Sequence, residues 1–235
     1  MDVLSTGCQW RAIPKNLPPR SKVHGYLDRW TWDRTLDRIH QALDVACREQ
    51  AEREASPSAA IIDSQSVKSA GKGGLRSARG SLWSGGPSAR PGDAGKKIKG
   101  KKRHILVDTQ GLLMQALVHA AGIQDRDGGV MVMAPLFGLY PFLLKPYADG
   151  GYQGERFQKG VDKALAQVNV EIVKRSEQAK GFVVLPKRWI VERTFAWLGR
   201  CRRLVKDWEC LTAKALAFLK LASIRLMIRK LGNPS

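Results

Sequence analysis

Followed for the spacing of its apolar and polar positions, the chain falls into an N-terminal helical stretch, a strand-rich middle and a helical end. Residues 21–53, "SKVHGYLDRWTWDRTLDRIHQALDVACREQAER", repeat apolar side chains at helical intervals, with Leu36, Ile39, Leu43 and Ala46 or Cys47 on one face. "LPPRS" ahead of them is a start signal, and Asp33 separates a short helix from a longer one. Two helices joined by a tight turn, with Arg29, Arg34 and Arg38 nearby, match either part of a helix-turn-helix reader or a helical cap over the main domain. After "ASPSAA" the period changes. "IIDSQSV" reads as a compact apolar strand, and "HILVDTQGLLMQALVHAA" as two strands joined at the turn-forming "DTQG". A helix follows over 128–139, with Asp125 or Asp127 as its cap. "FLLKPYAD" is another buried strand, "GERFQKGVDKALAQ" a helix and "NVEIVKR" a strand, and from Arg188 the pattern is helical almost to the end. Strands first, then alternating helix and strand, then helices define a mixed α/β domain rather than a bundle.

Composition narrows the setting. At 235 residues, 43% of them apolar and 26% charged, the chain can bury a real core, as one domain with extra material or two small ones. The reading adopted is a partial N-terminal helical domain over 1–56 and a larger domain over 57–235. Forty Lys and Arg stand against 21 Asp and Glu, a net charge of +19, which favours a polyanion: nucleic acid or an anionic membrane surface. No apolar run is long enough to span a bilayer, and "MDVLSTGCQW" is unlike a signal peptide, so the expected place is the cytoplasm, on nucleic acid. Cys8, Cys47, Cys201 and Cys210 are scattered without a C-x-x-C pair, which argues against disulfides and structural zinc. Residues 69–103 are mostly Gly, Ser, Lys, Arg and Pro without periodicity and read as a mobile basic loop. In it Lys96, Lys97, Lys99, Lys101, Lys102 and Arg103 would neutralise phosphates without reading bases.

Three carboxylates stand out in so basic a chain. Asp63 closes one apolar strand and Asp149 closes another, immediately before two glycines. Such strand ends face the crevice where open α/β sheets bind ligands. Turned at about 100° per residue, the segment from Trp189 puts Ile190, Val191, Phe195, Trp197, Leu198, Cys201, Leu204 and Val205 on one broad apolar face. The opposite arc carries Glu192, Ala196, Gly199 and Arg203, with Arg193 and Arg200 beside them, while Arg202 falls in the apolar arc. Taken singly, Asp149 before glycine is a turn and Glu192 a solvated surface residue. Taken together, Asp63, Asp149 and Glu192 beside arginines are the oxygen ligands that Mg²⁺- or Mn²⁺-dependent phosphoryl transfer needs. Asp108 competes for a place, although its turn context favours hairpin geometry.

"TGCQWRAIPKNLPP", "IIDSQSVKSA", "DAGKKIKGKKRHILVDTQGLL", "YADGGYQGERF" and "RWIVERTFAWLGRCRRLVKDWE", in this order, resemble the DDE transposases of bacterial insertion sequences, in the five-like group of the four/five superfamily. The resemblance implies an RNase H-like fold, a mixed sheet flanked by helices, with Asp63, Asp149 and Glu192 as catalytic and metal-binding residues. It further implies Mg²⁺ or Mn²⁺, two ions, cleavage at the element's ends and joining of a 3′-hydroxyl to target DNA. A homodimer or larger assembly on paired ends is the implied working form. Lys68, Arg188, Arg193, Arg200 and Arg203 would join the loop cations in holding DNA. Of the signature Tyr-x2-Arg-x3-Glu-x6-Lys, Arg188 and Glu192 match, whereas Leu185 and Gly199 replace the Tyr and Lys. The family ordinarily carries several tens of residues before "TGCQWR", so a truncated N-terminal domain is expected, and the stretch at about 75–92 reads as a surface insertion or the relic of a frameshift. Two rival functions follow from the same features: a non-catalytic DNA-binding remnant and a nuclease of the same fold.

Overall fold

The apolar run after residue 58 is the centre of the molecule. In the computed structural model, which describes residues 1–70, 100–173 and 187–233, it forms β1 (Ala59–Lys68). β2 (Gly100–Asp108) pairs antiparallel with it, with Asp63 opposite Ile105 and Ser64 opposite His104, and β3 (Leu113–Ala120) continues the antiparallel ladder. On the other side β4 (Lys145–Ala148) runs parallel to β1, with Ile61 level with Tyr147, and β5 (Glu171–Ile172) runs parallel to β4. The sheet order is therefore β3-β2-β1-β4-β5, a mixed sheet of the RNase H-like kind.

Alternation along β1 sorts its side chains to two cores. Ala60 and Ile62 join Leu106, Ala148 and the apolar sides of α4 (Asp125–Met133) and α5 (Glu155–Ala164). Ile61 joins Ile105, Tyr147, α6 (Arg188–Gly199) and α7 (Thr212–Gly232) on the opposite face. The N-terminal helices α1 (Asp2–Thr6), α2 (Arg20–Trp32) and α3 (Thr35–Gln50) add Val3, Leu4, Leu27, Leu36 and Cys47 to this second core. Asp33 does separate two helices, and its carboxylate accepts from the Thr35 amide at 2.9 Å.

Four expectations change. The buried stripe of α3 runs through Leu36, His40, Asp44 and Cys47, and Ile39 is left exposed, because α7 and the β2–β3 turn offer polar partners to that face. His40, for instance, meets the Ser223 hydroxyl at 3.0 Å. The basic segment ends earlier than residue 103, since Gly100 already lies in β2 and Lys101, Lys102 and Arg103 are buried in it. α4 begins at Asp125 rather than Gly128, with Gln124 as the capping position, so Asp125 and Asp127 sit inside its acidic first turn. The terminal helix is broken: α6 stops at Gly199, and residues 200–211 form an irregular connection before α7. Asp207 pins that connection to the sheet, its amide donating to the Lys68 carbonyl at 2.9 Å and its carboxylate receiving the buried Lys101 ammonium at 3.1 Å.

Gly128 shows how closely α4 sits on the sheet. A Cβ there would stand 2.3 Å from His104 Nε2 and 2.7 Å from His119 Nε2, two buried rings. Gly→Ala in a helix ordinarily gains up to about 1 kcal/mol. Here Gly128→Ala is expected to lose about 1–3 kcal/mol by forcing those rings aside, measured as a lower midpoint of denaturant unfolding.

Candidate active site

The strand period decides where the first two carboxylates point. Asp63 lies two residues beyond Ile61 and Asp149 two residues beyond Tyr147, and that pair is level in the parallel ladder and faces α6. Asp63 is therefore a mid-strand residue of β1, just past the end of its pairing with β4, rather than the strand's last residue. Asp149 follows β4 directly and caps a short 3₁₀ turn (Gly150–Tyr152), its Oδ1 accepting from the Gly151 amide at 2.9 Å. Glu192 comes from the first half of α6, on the side away from Ile190, Val191, Phe195 and Leu198.

Arg188 ties the group together. Its guanidinium lies 3.7 Å from Asp149 Oδ2 and 3.5 Å from Glu192 Oε1, one helical turn before Glu192. Asp63 takes a 2.7 Å bond from the Ser64 amide. Burial, and after it the charges of Asp149 and Glu192, push its carboxyl up to about 6, against the opposing pull of that amide and of Arg188. Glu192 is 55% exposed and is bonded to Arg188 rather than turned onto the aspartates. Among the described residues, no three acidic, His or Cys side chains stand close enough to hold a metal ion as they are. The donor chemistry nevertheless suits a hard divalent cation: Arg188 pairs with two of the three carboxylates, and Asp63 beside them feels their charges and has its own charge disfavoured until a cation faces it.

The flanking cations divide sharply. Lys68 and Arg200 are exposed, as expected of phosphate ligands, and Ala196 and Gly199 leave the same side of α6 open. Lys101 is instead spent on Asp207, Lys102 on Asp125 and the Ile123 carbonyl, and Arg103 on the Leu204 carbonyl at 2.7 Å. Arg203 is buried against Glu209 and Phe218, while Arg202 is exposed, because the break after Gly199 reverses the facing that a continuous helix would impose. Arg193 is stacked 4.5 Å from both Trp189 and Trp197 and donates to the Gln110 carbonyl at 3.0 Å. With the Thr194 hydroxyl on the Gly111 carbonyl at 3.0 Å, it clamps α6 to the β2–β3 turn and so fixes the rotation of Glu192. Asp108 shapes that turn, its Oδ1 accepting from the amides of Gln110 and Leu112, and takes no part in the triad. Lys96, Lys97, Lys99 and Leu185 lie outside the described residues.

Sequence reasoning missed Asp125 and Lys187. Asp125 accepts from the Ser64 hydroxyl at 2.7 Å and from Lys102, beside the triad rather than at a helix cap. Lys187 opens α6 in a left-handed conformation and bonds the Tyr147 hydroxyl, 3.7 Å above its ring. The "DS" of "IIDSQS" and the doubled acid of "QDRD" were the available signals, but each is common in turns and caps.

The mixed RNase H-like sheet thus carries acidic side chains on β1 and directly after β4, with a third on α6. The model of the "Transposase DDE domain" family matches residues 54–227, and the chain belongs to that family. A second model, "Putative transposase of IS4/5 family", matches residues 1–40. A protein of Burkholderia cepacia, "Putative transposase for insertion sequence element IS402", is 32% identical over 149 residues, covering 58% of this chain and 67% of that protein. No solved structure matches.

Proposed function

We propose that the chain is the transposase of an insertion sequence, cutting DNA strands at the element's ends and joining them to target DNA. The observation that carries this reading is Arg188 paired with both Asp149 and Glu192, beside an Asp63 whose carboxyl feels all three charges. Mg²⁺ or Mn²⁺, as two ions held by these carboxylates, would supply the charge that activates an attacking oxygen and stabilises the leaving one. The chain's own residues do the rest. Asp63 stands on β1 and Asp149 directly after β4, each just past the end of the parallel pairing of those two strands. Arg188 neutralises two of the carboxylates and offers a forked donor to a phosphate beside them. Lys68 and Arg200 extend the positive surface along a bound strand. Two or more such chains acting on paired ends, in the cytoplasm, make up the working assembly. Among the described residues, no helix is long and apolar enough to cross a membrane.

The test is strand joining. Labelled duplexes carrying the element's ends, incubated with supercoiled plasmid and Mg²⁺, should give both nicked ends and ends joined to plasmid. Nicking without preference for the ends, and without joining, would favour a nuclease of this fold; binding with neither product would favour a non-catalytic remnant. DNA affinity should also fall steeply with salt between about 50 and 200 mM, and a flat response would remove the phosphate-dominated interface.

A further inference from the structure

Behind the two aspartates lies a partly buried polar layer. The Ser64 hydroxyl, one residue beyond Asp63, donates to Asp125 Oδ1 at 2.7 Å, and across the ladder Ser64 is paired with His104. Tyr152 ends the 3₁₀ turn that Asp149 caps; its amide donates to the Asp149 carbonyl at 3.1 Å, and its ring is almost fully buried beside His104 and Phe157. Its hydroxyl is 3.1 Å from His104 Nδ1, so the far end of the ring is fixed to β2. Asp125 closes the circuit. Lys102 holds its Oδ1 at 3.0 Å, and its Oδ2 stands 3.6 Å from where a Cβ on Gly151 would be, next to the amide that binds Asp149. β1 and β4 are paired only from Ala59 to Ile61 on the β1 side, so the ladder itself ends before either carboxylate.

We propose that Ser64, anchored on Asp125, and Tyr152, anchored on His104, are positioning residues that hold Asp63 and Asp149 at a fixed separation and so set how tightly the site binds its divalent cation. This rests on the metal-site reading above. Hydrogen-bond partners behind metal ligands typically govern 10- to 100-fold in affinity. Ser64 on Asp125, which packs against the Gly151 turn, and Tyr152 on His104, the ladder partner of Ser64, have that position, and they lie where the pairing of β1 with β4 has stopped.

The test measures Mn²⁺ binding to the intact protein, by electron paramagnetic resonance of the free ion, for wild type, Tyr152→Phe, Ser64→Ala, Ser64→Thr and Asp149→Asn. Tyr152→Phe keeps the buried ring, and Ser64→Ala serves as an independent variant should the first lose its fold. Both are expected to weaken Mn²⁺ binding by about 10-fold or more, with Ser64→Thr restoring it. The Mg²⁺ concentration for half-maximal nicking should rise in parallel. Unchanged Mn²⁺ affinity in both hydroxyl variants, beside weakened binding by Asp149→Asn, would assign the layer to packing alone and overturn the proposal. Wild-type affinity in Asp149→Asn would overturn the metal site itself, and the proposal with it.

Discussion

The Asp63→Asn variant is expected to lose DNA cleavage by about 10³-fold or more and yet to be more stable than wild type above pH 6. Burial and like charges raise the Asp63 carboxyl from its ordinary 3.8 to about 6. The folded protein thus binds this proton more tightly than the unfolded chain. Wild-type stability falls as pH rises from about 4 to about 6, while the amide variant has no such loss. The gap should be absent at pH 4 and complete above pH 6, at about 2 kcal/mol once partial solvent exposure is discounted. Urea unfolding in divalent-free buffer at both pH values measures it. Equal stability across the range would mean that Asp63 is not the strained member of the site. The sign separates a functional carboxylate, kept at a cost in stability, from a structural one, whose removal would weaken the fold.

Arg48→Ala is expected to have the largest effect on folding. Arg48 is buried, donates to Asp108 Oδ2, and binds the Glu54 carbonyl at 2.7 Å. Beside it Asp44 is also buried and pushed up to about 7, first by desolvation and then by the charge of Asp108. Removing the guanidinium leaves two buried carboxylates uncompensated, a loss of about 3–5 kcal/mol out of the 5–15 that typically hold a domain. Without the guanidinium's opposing charge, the Asp44 carboxyl, already pushed up by burial, should hold its proton to still higher pH in the folded state. The defect should therefore deepen as pH rises from 5 to 8, and Arg48→Ala with Asp108→Asn should recover part of it. A loss below about 1 kcal/mol would show that the pair is not integral to the junction of α3 with the β2–β3 turn. That turn also receives Arg193 and Thr194 of α6, so the same defect should lower cleavage through Glu192.

The parts of this structure legible in the sequence are those written in local periods. β1, the β2–β3 hairpin, β4, α2, α3 and α5 follow from alternation, helical spacing and turn residues, and the two aspartates were found because apolar strands run into them. Charged residues whose partners are far along the chain were not legible. Lys101 and Arg203 look like phosphate ligands until Asp207 and Glu209 are brought against them by the break after Gly199. The wheel drawn through 189–205 failed at its C-terminal half for the same reason, since no local feature of "GRCRRL" outweighs its helical pattern, and the sheet supplies the competing bonds. Asp125 escaped because a carboxylate early in a helix ordinarily serves the helix, and only the register of β1 against β2 puts Ser64 within its reach.

The central claim is that Asp63, Asp149 and Glu192 act as one metal-binding unit on DNA. The most direct measurement is nicking of a labelled element-end duplex across a Mn²⁺ titration by wild type, Asp63→Asn, Asp149→Asn and Glu192→Gln, with DNA affinity measured alongside. The predicted result is metal-dependent nicking by wild type alone, with DNA affinity preserved in all four proteins. Wild-type nicking by any one of the three variants would remove that residue from the unit and contradict the claim.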